Sequence, residues 1–194
     1  LKMAKVVVKA KVKKLKRKFP VEIKAPEYMN SISLGKTDVT DLNLLVGRTT
    51  KLNMMYVSGN VKNQNIRLVF KIVEVASGLA KTEVCGYYQI PYYLSRFVKA
   101  GSDLVEDSFV TESSDGKKVR VQPFIVTKSN ASSMIGVAIR ALVREIIAKD
   151  IASRSYSEFI SQVISGKVQI AYRNEVKKIF PLKAFEFREV ELVE

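Results

Sequence analysis

The sequence predicts an α+β fold: an antiparallel sheet curled into a barrel-like body with three to four helices packed beside it. Two patterns carry that expectation. Six or seven short β-prone segments, several joined by hairpin-like turns, occupy the first two-thirds of the chain. Only after residue 130 does the apolar spacing lengthen to the helical period, and a last alternating segment then returns. Strands followed by helices is an α+β order rather than a repeating βαβ one. A third observation sets the extent. Of 194 residues, 47% are hydrophobic, enough for a sizeable core, and no long linker or internal repeat divides them. Residues 19–194 are therefore expected to form a single globular domain behind a separate arm, residues 1–18.

Residues 21–23 alternate, and Pro26 ends them for want of an N–H. Residues 27–37, with Asn30, Ser31, Ser33 and Gly35, read as an irregular connection containing one turn. Residues 51–58 (KLNMMYVS) and 66–75 read as strands, the second alternating Ile66, Leu68, Phe70 and Ile72 against Arg67 and Lys71. The turn residues of 59–65 make the pair a hairpin. Gly78 breaks this strand from another over 81–90. Pro91 suits the first turn of a helix, with Tyr93, Leu94, Phe97 and Val98 as its apolar face and Gly101 as its stop. Segments 103–111 and 117–127 flank Ser113-Ser114-Asp115-Gly116, where Asp-Gly supplies the positive φ of a tight hairpin turn. Ser132 or Ser133 is placed to cap a helix over 134–149, in which Ile135, Ile139, Leu142, Ile146 and Ile147 recur at helical spacing. Ser157 is expected to cap a shorter helix ending at Gly166. Val168, Tyr172, Val176 and Ile179 mark a further helix over 167–179, closed by Pro181. Phe185, Phe187, Val190 and Leu192 pattern the tail as a strand.

Charge is distributed unevenly over this plan. The arm holds Lys2, Lys5, Lys9, Lys11, Lys13, Lys14, Lys16, Arg17 and Lys18, nine of the 33 Lys and Arg, and none of the 19 Asp and Glu. The remaining residues carry 24 cations against 19 carboxylates, so most of the net charge of +14 sits in under a tenth of the length. Such a block opposes its own compaction, and a dense polyanion relieves the repulsion by releasing counterions on contact. The arm therefore reads as a nucleic-acid contact that is mobile when unbound. A second basic surface is expected from Lys36, Arg48, Lys51, Lys62, Arg67, Lys117, Lys118 and Lys128 at strand edges or turns. Arg140, Arg144, Lys149 and Arg154 would add to it along or just past a helix. A Lys-dominated arm promises affinity and steering rather than sequence reading.

Other classes recede. There is no histidine, which removes the commonest general base and metal ligand, and the single Cys85 allows neither an internal disulfide nor a multi-thiolate zinc site. A lone thiol fits a reducing, cytosolic setting. No apolar run approaches a membrane span, and the Val6-Val7-Val8 triplet is too short for a signal core. The chain begins with Leu1 rather than Met, which leaves room for an upstream piece. No enzyme activity, cofactor, metal, membrane or small-molecule substrate is expected. Gly35-Lys36-Thr37 resembles the end of a phosphate-binding loop, but position 30 is Asn where that motif needs Gly, so a turn before a strand is expected. Asn130-Ala131-Ser132 is a loop and cap rather than a glycosylation acceptor. Asp103, Glu106, Asp107 and Glu112 surround a hairpin and need only solvation. Tyr87, Tyr88, Tyr92 and Tyr93 are read as core or rim packing ahead of a stacking platform for bases.

Over residues 22–40 (EIKAPEYMNSISLGKTDVT) the chain resembles the archaeal and eukaryotic small-subunit ribosomal proteins of the S-one-e, or S-three-a, family. The match rests on Lys24-Ala25-Pro26, Asn30, Gly35-Lys36-Thr37 and Val39-Thr40. Asp115-Gly116 with the following strand to Thr127 and Lys128, and Phe180-Pro181-Leu182 with the tail, extend it from about residue 16 to 192. The resemblance implies a structural constituent of the small subunit, on the platform near the messenger exit. Its partners would be small-subunit rRNA, neighbouring ribosomal proteins and mRNA near that exit. It also implies a barrel-like body, no catalytic residues, and Lys36 as an RNA contact in a turn. The chain ends at Glu194 without the long C-terminal extension of eukaryotic members, which points to the archaeal form. The rival from another class is a free single-stranded RNA- or DNA-binding regulator on an OB-like barrel, stacking bases on Tyr56, Tyr87 and Tyr88.

Overall fold

The computed structural model describes residues 18–193 apart from Asn30 and Ser77; the expectations for Lys9, Lys11, Lys13, Lys14, Lys16 and Arg17 lie outside the described residues. Nine strands form one sheet: β1 (Phe19–Lys24), β2 (Ser33–Val39), β3 (Thr49–Asn53), β4 (Ile66–Ala76), β5 (Leu79–Gln89), β6 (Leu104–Glu106), β7 (Phe109–Glu112), β8 (Lys118–Thr127) and β9 (Leu182–Val193). Five α-helices accompany it among the described residues: α1 (Met54–Ser58), α2 (Pro91–Ser95), α3 (Ser133–Ser153), α4 (Tyr156–Ser165) and α5 (Lys167–Val176). The α+β order stands.

The barrel does not. β5 pairs with β4 along one edge, but its other edge is divided. Leu79–Lys81 meets β1 in parallel and Gly86–Tyr88 meets β9 antiparallel. The sheet branches there instead of closing, and the three-residue β1–β5 ladder also makes it mixed rather than wholly antiparallel. β6 and β7 lie end to end along β8, parted at Asp107-Ser108, and no ladder joins them to β2 or β3.

Several local expectations shift for identifiable reasons. Residues 51–58 split between β3 and α1, because the Asn53 side chain accepts the Met55 N–H as an N-cap and Gly59 closes the turn at φ 66°. The β3–β4 pairing itself holds, Lys51 opposite Val69 and Asn53 opposite Arg67. Residues 33–37, expected to belong to an irregular connection, lie in β2, held by β1 with Lys36 opposite Glu22. Gly35-Lys36-Thr37 is thus in a strand, not a turn. α2 stops at Ser95, short of Gly101, and α3 runs on to Ser153. The cap of α4 is Ser155, whose Oγ accepts the Glu158 N–H at 3.4 Å, not Ser157. α5 ends at Val176, leaving Ile179 exposed.

Alternation gives the sheet two unlike faces. Leu68, Phe70, Val84, Tyr87, Val119, Val121, Ile125, Phe185, Phe187 and Val190 are buried in one core with the inward stripes of α3 to α5. α3 contributes Ile139, Val143, Ile147 and Ile151, one every four residues. Phe187 sits at the centre, edge-on to Phe159 (6.3 Å), Tyr172 (6.2 Å) and Phe185 (5.8 Å), an arrangement that suits the ring quadrupoles. The opposite face carries Lys51, Arg67, Tyr88, Glu189, Glu191 and Arg120 by register. Only its far end is covered, where Leu94 of α2 packs on Phe124, Val126 and Ala184.

Candidate nucleic-acid interface

The basic residues named from sequence separate into two groups once their partners are known. On the helical layer they are engaged within the chain. Arg144 donates through Nε and Nη2 to the two carboxylate oxygens of Asp107, the second at 2.7 Å. Arg140 Nε donates to the Glu106 carbonyl at 3.3 Å. Arg154 pairs with Asp150 at 2.8 Å, Lys149 Nζ reaches Glu145 Oε1 at 2.5 Å, and Lys117 pairs with Glu83. The arginines and Lys149 tie α3 to the β6–β7 connection or to its own next turn, while Lys117, in the turn before β8, reaches across to β5. The Asp107 carboxyl is held below the usual carboxylate range, chiefly by its hydrogen bond from Arg144. Two more of the carboxylates weighed for acid–base chemistry are spent in the same way: Asp103 accepts the Ala131 N–H at 2.6 Å and Glu106 accepts from Arg188 at 3.2 Å.

The other basic residues named from sequence behave otherwise. Lys18, Lys36, Arg48, Lys51, Lys62, Arg67, Lys118 and Lys128 are exposed and make no ion pair among the described residues. Strand geometry concentrates three of them. Lys51 on β3 and Arg67 on β4 share the open face, offset by one register step, and Arg48 immediately precedes β3. Lys62 lies in the turn between α1 and β4, anchored by its N–H to Asn60 Oδ1 at 3.1 Å. Lys36 stands apart on β2, and Lys128 follows β8 at the sheet's other side, its N–H on the Pro181 carbonyl. The fold therefore groups Arg48, Lys51, Lys62 and Arg67 around the β3–β4 pair and leaves Lys36 and Lys128 outside that group.

The same open face changes sign across the sheet. At its β5–β9–β8 side Glu191 accepts from Tyr88 at 2.9 Å and from Arg120 at 2.8 Å, so charge there is matched. Glu189 is pushed above the usual carboxylate range by burial and then by its neighbour Glu191. At the β3–β4 edge of this face, Lys51 and Arg67 have no such carboxylate partner among the described residues.

The four tyrosines divide as well. Tyr87 is core at 1% exposure, and Tyr88 is half-buried and bound to Glu191. Tyr93 is packed, with Arg96 stacked 3.9 Å over its ring and Phe97 edge-on at 5.3 Å. Tyr92, by contrast, is 89% exposed at the start of α2. Tyr56 is also exposed, whereas the burial of Tyr87 overturns a stacking role for that ring. Cys85 offers no activated nucleophile, since burial pushes its thiol up. Sequence reasoning missed Arg188, which turns onto the open face at a bulge opposite Gln122/Pro123. The signal was present: the apolar tail positions step by two, then by three between Phe187 and Val190.

A helix-backed sheet with an unbalanced cationic edge places this chain among basic, surface-binding proteins. Comparison with known sequences narrows the class: the chain belongs to the Ribosomal S3Ae family, whose profile matches residues 7–194. Relatives similar over most of their length carry the name small ribosomal subunit protein eS1. That of Nanoarchaeum equitans is 31% identical over 90% of this chain and 88% of its own, and that of Archaeoglobus fulgidus 30% identical over 87% and 81%. In Haloarcula marismortui the corresponding figures are 29%, 88% and 80%. The chain is a ribosomal protein of the small subunit, of the archaeal type, with its part in translation as a ribonucleoprotein component.

Proposed function

We propose that this chain holds small-subunit rRNA in place by neutralising phosphates, with the arm 1–18 and the β3–β4 edge as the two contact regions of a globular body spanning 19–194. The observation that carries this reading is the set of exposed cations Arg48, Lys51, Lys62 and Arg67, which the fold gathers without giving them carboxylate partners. Each phosphate contact releases counterions, so several such residues give affinity that falls steeply with salt. Ordering the arm costs about 1–2 kcal/mol per residue, which only a dense run of phosphate contacts offsets. Lys36 and Lys128 serve as peripheral contacts. Within the subunit the position is the platform near the mRNA exit, beside other ribosomal proteins and within reach of mRNA, in the cytoplasmic ribosome. The role is structural rather than catalytic.

The exposed Tyr56 and Tyr92 are the observation that favours the second reading, a free single-strand binder. Sucrose-gradient sedimentation of an extract of cells making the chain separates the two. Co-migration with small subunits at about one copy each, surviving a moderate-salt wash, is expected. Migration at the top of the gradient, away from all subunits, defeats the ribosomal assignment.

A further inference from the structure

We propose that the groove between the β3–β4 edge and the start of α2 is a seat for one unpaired RNA nucleotide, its base laid on Tyr92 and its phosphates on Lys51 and Arg67. This rests on the reading of the chain as an rRNA-binding protein and adds a single-stranded contact to the phosphate contacts of the arm. The groove encloses about 510 Å³. Its floor is apolar, made by Val69, Ile90 and Pro91, as suits the face of a base. Lys51, Arg67 and Arg188 line it with positive charge, and the first two have no acidic partner.

Tyr92 has every mark of an unused ring. It is the most exposed large hydrophobic side chain among the described residues, and no ring, cation or hydroxyl partner engages it. Its backbone is nevertheless fixed: Pro91 opens α2, and the Tyr92 carbonyl accepts the Ser95 hydroxyl at 3.1 Å. A planar aromatic on a fixed backbone beside cations is costly to leave in water and well placed to stack. Tyr88 also lines the groove, its hydroxyl tied to Glu191. One carboxylate, Glu189, also lines the groove. It repels a phosphate, so the backbone is directed to the Lys51–Arg67 side and the base edge toward Glu189. An A-form duplex keeps its bases stacked internally and presents none to Tyr92. The seat therefore selects a bulged, looped or terminal nucleotide. The cationic lining equally turns away a basic peptide.

The chain has no tryptophan, so Tyr92→Trp in the 194-residue chain places a single indole reporter in the groove. Salt is raised until contacts of the lysine arm are largely screened. A short oligoadenylate should then quench the indole emission saturably, whereas an RNA duplex that binds by anisotropy, or polyglutamate, should not. Tyr92→Ala should weaken oligoadenylate binding about tenfold, and Tyr92→Phe should stay within about twofold of the parent. Thermal melting of each variant should match the parent, since the side chain packs on nothing. Equal quenching by duplex or polyglutamate overturns the seat, as does a Tyr92→Ala protein that binds the oligonucleotide normally. In either case duplex binding by the parent chain at low salt leaves the rRNA reading standing; no RNA binding by the parent chain even at low salt defeats both.

Discussion

The two faces of the sheet are built from the same strands and do opposite things. On β4, Leu68 and Phe70 are at 0% exposure while Arg67, one position away, stands in solvent without a carboxylate partner. The inner face gains stability by excluding water. The outer face at its β3–β4 end keeps charge unmatched, which gives nothing to the isolated fold and is useful only against a polyanion. The matched end, where Arg120 and Tyr88 both reach Glu191, shows that the fold can neutralise its own surface charge. The helical layer makes the same point: Arg144 carries the same charge as Arg67, yet it is committed to Asp107. Counting cations in a sequence therefore overstates the interface. What matters is which of them the fold has already used.

Breaking the inner face should have the largest effect. Phe187→Ala removes the ring that three other aromatics meet edge-on, and it should cost about 3–5 kcal/mol of unfolding free energy, read as a lowered midpoint in urea at unchanged slope. A loss under about 1 kcal/mol would mean that the aromatic cluster is not the centre of the core.

A smaller effect sharpens the distinction between used and unused cations. The Asp107 carboxyl is depressed by Arg144. Its contribution to stability is fully present above the ordinary carboxylate pKa of about 4 and is lost as pH falls through the lowered folded value. Asp107→Asn should lower the melting temperature at neutral pH and bring variant and parent together in acid, with RNA affinity unchanged. A gap that instead widens toward acid would contradict the pairing.

Much of the fold was legible because alternation and helical spacing are local signals. The β4 and β5 strands, the Asp115-Gly116 turn with φ 72° at Gly116, and the α3 to α5 series all follow from residue types and intervals. What escaped was set by distant partners. β2 exists because β1 offers Gly35 and Lys36 a ladder, and nothing within residues 27–37 announces it. Closure of a barrel depends on which strands share the second edge of β5, and no local pattern encodes that division. The candidate site was legible as composition and not as arrangement. Lys51 and Arg67 were named, but their grouping needed the β3–β4 register. Four tyrosines close in sequence looked alike until burial separated Tyr87 from Tyr92.

The central claim is that the arm and the β3–β4 edge are the unmatched charges that grip RNA. Its most direct test is the salt dependence of binding to a small-subunit rRNA fragment, compared for the full chain, a chain lacking residues 1–18, and the full chain carrying Lys51→Gln with Arg67→Gln. The slope of log affinity against log salt should flatten by about 1.5 for the double substitution, at about 0.7–0.9 per phosphate contact, and by more for the deletion, with melting temperature unchanged by the double substitution. Three superimposable slopes would contradict the claim.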